Sequence, residues 1–155
     1  MEYYLNIGTN IGDRRDNLYR AVVALTAGNG GCAVSRIIES EPWGFESEHR
    51  FLNVGVRLRS GMSPQQMLDH LHDIERRLGS DAHRDDEGRY IDRLVDIDIM
   101  AVDDLVIDTP TLQVPHPHLP DRVFFLLPMQ ELNPMWCHPV TGLSVAQMLE
   151  RLHRV

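Results

Sequence analysis

The stretch Arg93-Leu94-Val95-Asp96-Ile97-Asp98-Ile99-Met100-Ala101 limits the folds open to this chain more than any other. Side chains of a strand alternate between its two faces, so Val95, Ile97, Ile99 and Ala101 share one face and Leu94, Asp96, Asp98 and Met100 the other. The apolar face asks for a core. The second face carries two carboxylates in mid-strand, where Asp is ordinarily depleted. The segment fits an antiparallel sheet covered by helices on one face, with the other face free for a ligand.

The rest of the chain supplies that sheet. Glu2 to Gly8 is a β-rich run, and the turn Gly8-Thr9-Asn10-Ile11-Gly12-Asp13 opens a helix whose Leu18, Ala21, Val22 and Leu25 recur at helical spacing up to the glycines at 28, 30 and 31. Cys32 to Ser40 reads as a second strand and Glu41 to His49 as a loop. Arg50 to Arg59 alternates cleanly, with Leu52, Val54, Val56 and Leu58 on one face and Phe51, Asn53, Gly55, Arg57 and Arg59 on the other. Ser63-Pro64 is an N-cap and first-turn pair for a helix striped by Met67, Leu68, Leu71, Ile74 and Leu78 and ended at Gly79. After the acid strand come a β segment at Leu105 to Ile107, a loop Val114-Pro115-His116-Pro117-His118, a helix from Asp121 to about Leu132 and a last helix from Ser144. The order predicts an α+β, ferredoxin-like βαββαβ fold, an antiparallel sheet with helices on one face and a C-terminal helical and β extension. With 155 residues, a single domain over 1–155 is expected.

Charge narrows the function. The 15 basic residues are all Arg, so chemistry that requires a P-loop or Schiff-base lysine is excluded. A net charge of -8 argues against a general nucleic-acid binder, which needs a basic face. Cys32 and Cys137 stand far apart with no metal-ligand spacing and read as buried small apolar residues of a reducing compartment. The N-terminus has no basic n-region and no apolar run approaches the roughly 18–20 residues of a membrane span. A cytoplasmic monomer with no membrane partner is expected.

Asp96 and Asp98, about 7 Å apart on one strand face, can share two divalent ions, and hard oxygen ligands favour magnesium or manganese. Arg84, Arg89 and Arg93 lie just before the pair and His116 and Arg122 after it, a set of cations suited to a triphosphate. Trp43, Phe51, Tyr90 and Phe124 could line a flat heterocycle, and the Asn53 amide could read its edge. His70 and His72 do not share a helix face and read as surface residues. On these residues alone a metal-dependent nucleotidyl transferase or cyclase, or a non-enzymatic ligand- or RNA-binding module, remains open.

Several segments together resemble the 6-hydroxymethyl-7,8-dihydropterin pyrophosphokinase family: Gly8-Thr9-Asn10, Ser40-Glu41-Pro42-Trp43-Gly44, Phe51-Leu52-Asn53, Glu75, Arg93-x-x-Asp96-Ile97-Asp98-Ile99-Met100, Val114-Pro115-His116, Arg122 and Phe124. The resemblance implies transfer of the β,γ-diphosphoryl group of ATP to the hydroxymethyl of the pterin, with release of AMP. It implies that Asp96 and Asp98 hold two Mg²⁺ ions and that Arg93 and Arg122 act with them in catalysis. Glu75, Arg84, Arg93, His116 and Arg122 would bind ATP, and Ser40, Pro42, Trp43, Phe51, Asn53, Tyr90 and Phe124 the pterin. The loops at 41–49 and 80–92 would close over the substrates. The chain departs from the family where helix two is followed by Ser80-Asp81-Ala82-His83-Arg84 in place of Arg-x-Arg, and where Tyr90-Ile91-Asp92-Arg93 replaces a frequent Trp-Gly-Pro-Arg.

Overall fold

The computed structural model describes residues 1–27, 29–41, 50–79 and 94–153. Pro42, Trp43, Arg84, Arg89, Tyr90 and Arg93, together with nearly all of the two expected closing loops, lie outside the described residues. The elements in chain order are β1 (Glu2–Thr9), α1 (Arg14–Thr26), β2 (Gly30–Val34), β3 (Ile38–Ser40), β4 (Phe51–Arg59), α2 (Pro64–Arg77), β5 (Asp96–Val102), β6 (Ile107–Asp108), β7 (Gln113–Val114), α3 (Val123–Leu132) and α4 (Val145–His153). A short 3₁₀ turn, Leu119–Asp121, precedes α3.

The helices begin where the sequence supplies caps. The Asp13 side chain accepts from the Asp16 N–H at the head of α1. At α2, Ser63 Oγ accepts from Gln66 N–H while Gln66 Oε1 accepts from Ser63 N–H, a reciprocal capping box with Pro64 in the first turn. Gly79, at φ 96°, takes the left-handed conformation that closes α2.

The main sheet runs β2-β4-β1-β5, with β3 also pairing β4, and every neighbouring pair is antiparallel. The predicted second strand is two strands, β2 and β3, both laid along β4. One face of the sheet, through Leu5, Ile7, Val54, Val56 and Ile97, packs on Leu18, Leu25, Met67, Leu71 and Ile74 of α1 and α2. The opposite face is only partly free. Tyr4, Met100 and Ala101 join Phe125, Leu126 and Met129 of α3, Val145, Met148 and Leu149 of α4, and Trp136 in a second core. The C-terminal elements therefore cover one end of the face that the sequence leaves open, and the other end stays accessible.

One change of parity makes this possible. Ile99 pairs with Leu5 and Ala101 with Tyr4, so Met100 is an extra residue on β5, a β-bulge. Ala101 was expected on the face of Val95, Ile97 and Ile99; beyond the bulge it sits instead with Met100 in the second core, and Val102 returns to the first. A second correction concerns the cysteines. Cys32 and Cys137 are both exposed, because β2 is the edge strand, with every residue exposed, and Cys137 lies in the surface bridge to Ser144. Among the described residues no helix is long and apolar enough to cross a membrane.

Candidate active site

The uncovered end of the sheet forms the floor of a cavity of about 600 Å³. Strand alternation brings Asn6 and Gly8 of β1, Phe51 and Asn53 of β4, and Asp96 and Asp98 of β5 to it. Gly8 is closely covered there: a Cβ would stand 3.2 Å from Asn53 Oδ1 and 3.3 Å from the Phe51 ring. Gly8 pairs with both Asn53 and Asp96, so the glycine stands between the β4 pair and the acids.

Asn53 is almost wholly buried and oriented by β3. Its Nδ2 donates to Ser40 Oγ at 2.7 Å and to the Ile38 carbonyl at 3.3 Å, which leaves Oδ1 to accept. Phe51, also buried, and the half-buried Phe124 line the same space. The placement of Phe124 depends on Asn6, whose Nδ2 donates to the Phe124 carbonyl at 2.8 Å and so fastens the head of α3 to the sheet. Asn6 was not singled out from the sequence. Its signal was a lone amide within the apolar run Tyr3-Tyr4-Leu5-Asn6-Ile7.

Asp96 and Asp98 are half-buried on the cavity floor. Among the described residues no group of three or more His, Cys, Asp or Glu side chains is placed to hold a metal by itself. Two carboxylates, with no further ligand beside them among the described residues, suit Mg²⁺, which keeps waters and completes its octahedron with substrate phosphates, and do not suit a structural zinc cage. His116 stands behind the acids, Nε2 3.9 Å from Asp98 Oδ1. Burial pushes this imidazole down to about 4, aided by the Arg122 charge and His118 and opposed by Asp96. It is therefore neutral at pH 7. Its Nδ1 accepts the His118 N–H at 3.0 Å, so the ring hydrogen is on Nε2, on the side of Asp98. Arg122 begins α3 with its guanidinium 4.9 Å from the Phe125 ring centre and 5.5 Å from that of Phe124, and it supplies the cationic charge that a neutral His116 does not.

Of the remaining expected residues, Ser40 lines the cavity and Glu75 does not: Glu75 is 1% exposed and its carboxylate accepts the Ile97 N–H at 2.9 Å. The far wall was missed by sequence reasoning. It consists of Leu68 and His72 of α2 and of residues 110–113 around the β6–β7 hairpin, which packs beside β5. His72 is exposed as expected but faces the cavity, whereas the Nε2 of His70 is buried. A two-residue strand pair offers too little periodicity to be read in advance.

Residues 4–134 match the family model of 7,8-dihydro-6-hydroxymethylpterin-pyrophosphokinase. The chain belongs to that family. It is 41% identical over 138 residues to the 2-amino-4-hydroxy-6-hydroxymethyldihydropteridine pyrophosphokinase of Porphyromonas gingivalis, an alignment spanning 88% of this chain and 92% of the relative. The same enzyme of Aquifex aeolicus is 35% identical, over 88% and 83% of the two chains, and that of Bacillus subtilis 37% identical, over 83% and 76%. Among solved structures, a Plasmodium falciparum HPPK-DHPS triple mutant with STZ-DHP superposes with a TM-score of 0.74 at 14% identity, covering 97% of this chain and 43% of the other. At that identity the likeness concerns the fold alone. This pyrophosphokinase-family chain spans less than half of that bifunctional protein.

Proposed function

We propose that this chain transfers the β,γ-diphosphoryl group of ATP to the hydroxymethyl of 6-hydroxymethyl-7,8-dihydropterin, giving AMP and the pterin diphosphate of folate biosynthesis. The observation that carries the reading is the position of Asp96 and Asp98 on one cavity floor. To one side is a ring-sized space bounded by Phe51, Asn53 and Phe124; to the other is a wall of Leu68, Thr111 and Leu112. A pterin fits the aromatic, amide-lined side. The nucleotide base is assigned to the wall beyond β5, with the phosphates crossing the acids.

In this reading Asn53 Oδ1 accepts from a ring N–H of the pterin, its Nδ2 being held by Ser40 and Ile38. Phe51 and Phe124 confine the ring so that its hydroxymethyl points at the acids. Asp96 and Asp98 would hold two Mg²⁺, whose charge would neutralise the triphosphate and make the attacking hydroxyl more acidic. Arg122 pairs with phosphate oxygens, and neutral His116 donates its Nε2–H towards the same oxygens. The family resemblance assigns Arg93 and Arg84 to ATP and Pro42, Trp43 and Tyr90 to the pterin; Glu75, which does not line the cavity, serves the nucleotide only indirectly, through its bond to β5. Catalysis is alignment and charge neutralisation, and no side chain is assigned as general base. The strand order and antiparallel pairing support a ferredoxin-like core with a C-terminal extension. The chain is further taken to work as one domain over 1–155, a cytoplasmic monomer without membrane partners and, in keeping with its net charge of -8, without nucleic-acid partners.

The test is incubation with ATP, Mg²⁺ and the dihydropterin alcohol, followed by ³¹P NMR. AMP and pterin diphosphate in equal amounts are expected. Pyrophosphate release independent of the pterin, or ADP as product, would overturn the proposal.

A further inference from the structure

We infer that Glu75 is a positioning residue that sets the two acids of β5, an inference that rests on the reading of Asp96 and Asp98 as the metal-holding pair. Among the described residues β5 lies at one end of the main sheet's strand path, so one row of its backbone groups has no strand partner there. The Ile97 N–H is satisfied instead by Glu75 Oε2 at 2.9 Å, and Ile97 is the residue between Asp96 and Asp98. Asp96 is the first residue of β5, and its pairing with Gly8 is the last rung of the β1–β5 ladder. The clip therefore grips the strand next to the end most prone to fray, and at the peptide on which the relative aim of the two carboxylates depends.

The clip is mounted on a rigid support. Met67, Leu71 and Ile74 anchor α2 in the first core with no exposure, and both ends of the helix are capped. A carboxyl group buried this deeply costs desolvation, and an apolar side chain of similar volume serves a core as well or better. An apolar residue lacks a directional acceptor for an edge-strand N–H. Supporting groups of this kind, which never touch the metal, typically change metal affinity by about 10- to 100-fold when removed.

The experiment compares wild type with Glu75→Met, which keeps volume and loses the acceptor, Glu75→Gln, which keeps an acceptor oxygen, and Asp98→Asn. Two readouts need no turnover: hydrogen exchange of the Ile97 amide, and Mn²⁺ binding by electron paramagnetic resonance in the presence of a non-hydrolysable ATP analogue. Glu75→Met is expected to speed Ile97 exchange, leave the amides of β1 and β4 protected, and weaken Mn²⁺ binding about 10-fold or more. Glu75→Gln should restore most of both, and the denaturant midpoint of Glu75→Met should match or exceed that of wild type. Mn²⁺ affinity lost in Asp98→Asn but kept in Glu75→Met would overturn the positioning role alone. Affinity unchanged in Asp98→Asn as well would overturn the metal assignment beneath it. If Glu75→Met does not fold, the wild-type Ile97 amide decides: exchange as fast as an exposed loop amide refutes the clip, and slow exchange together with a Glu75→Gln that binds Mn²⁺ normally supports it.

Discussion

Gly55→Ala tests how tightly the site is tied to the C-terminal half of the molecule. Gly55 is on β4, two residues from Asn53 and on the same face, under the middle of α3. A Cβ there would stand 2.5 Å from Pro128 Cβ, 3.0 Å from Leu132 Cδ1 and 3.4 Å from Ser35 Oγ. Carbon atoms in ordinary contact sit about 3.5–4.0 Å apart, so α3 must withdraw by about 1 Å at Pro128. A proline ring cannot swing aside as a flexible side chain would. Nor can the helix tilt freely, since its head is fastened by Asn6 to the Phe124 carbonyl. Overpacking of this kind costs about 1–3 kcal/mol, and the rigid partner puts this case near 2–3. The lower backbone entropy of the unfolded alanine chain returns about 0.4–1 kcal/mol, leaving a net loss of about 2. With a urea m-value of about 2 kcal/mol/M, the unfolding midpoint should fall by about 1 M. Because α3 carries Phe124 and is headed by Arg122, kcat/KM should fall as well. An unchanged midpoint would refute the argument, and a lowered midpoint with unaltered kinetics would refute the coupling between α3 and the cavity.

Asp98→Asn should reduce turnover by more than about 100-fold with the unfolding midpoint little changed, and near-normal rates at saturating Mg²⁺ would remove Asp98 from the metal site. Asn53→Ala should raise the pterin KM by roughly 5- to 150-fold, the equivalent of about 1–3 kcal/mol, with the ATP KM unchanged; equal losses on both substrates would make Asn53 purely structural. His116, held down to about 4 in the folded chain against 6.5 ordinarily, lets the unfolded chain bind more protons between those values. Its contribution, about 3 kcal/mol, is fully present above pH 6.5 and is lost as pH falls towards 4. On acidification from pH 6.5 towards 4 the urea midpoint of wild type should therefore fall relative to that of His116→Gln, and parallel pH curves would contradict this. Ser63→Ala should cost about 1 kcal/mol by removing one arm of the capping box, measured by thermal melting.

The local elements were legible because their signals are local. The alternation of Phe51 to Arg59 gave β4 and its two faces, Ser63-Pro64 gave the start of α2, and the acids of β5 pointed to the cavity floor. Packing between distant segments was not legible. Whether Cys32 is buried depends on β2 being an edge strand, which is a property of strand order. The second core depends on where the helices after residue 121 fold back, and the far cavity wall on a hairpin of two-residue strands. Glu75 illustrates the same limit at one side chain: the resemblance marked it as a nucleotide-side residue, but its buried bond to the Ile97 backbone arises only when α2 and β5 meet.

The bulge at Met100 has a consequence for how this protein can vary. Without the extra residue, one unbroken alternation would run from Asp96 to Val102, and a register slip at either end would reverse the facing of the whole strand. With it, β5 is a splice of two short strands with independent phase. The leading half presents Asp96 and Asp98 to the cavity, and beyond it Met100 and Ala101 pack against α3 and α4 while Val102 returns to the first core. A change of phase beyond the bulge therefore need not turn Asp96 and Asp98 away from the cavity, although Ala101 and Val102, both buried, leave little room for a change of volume.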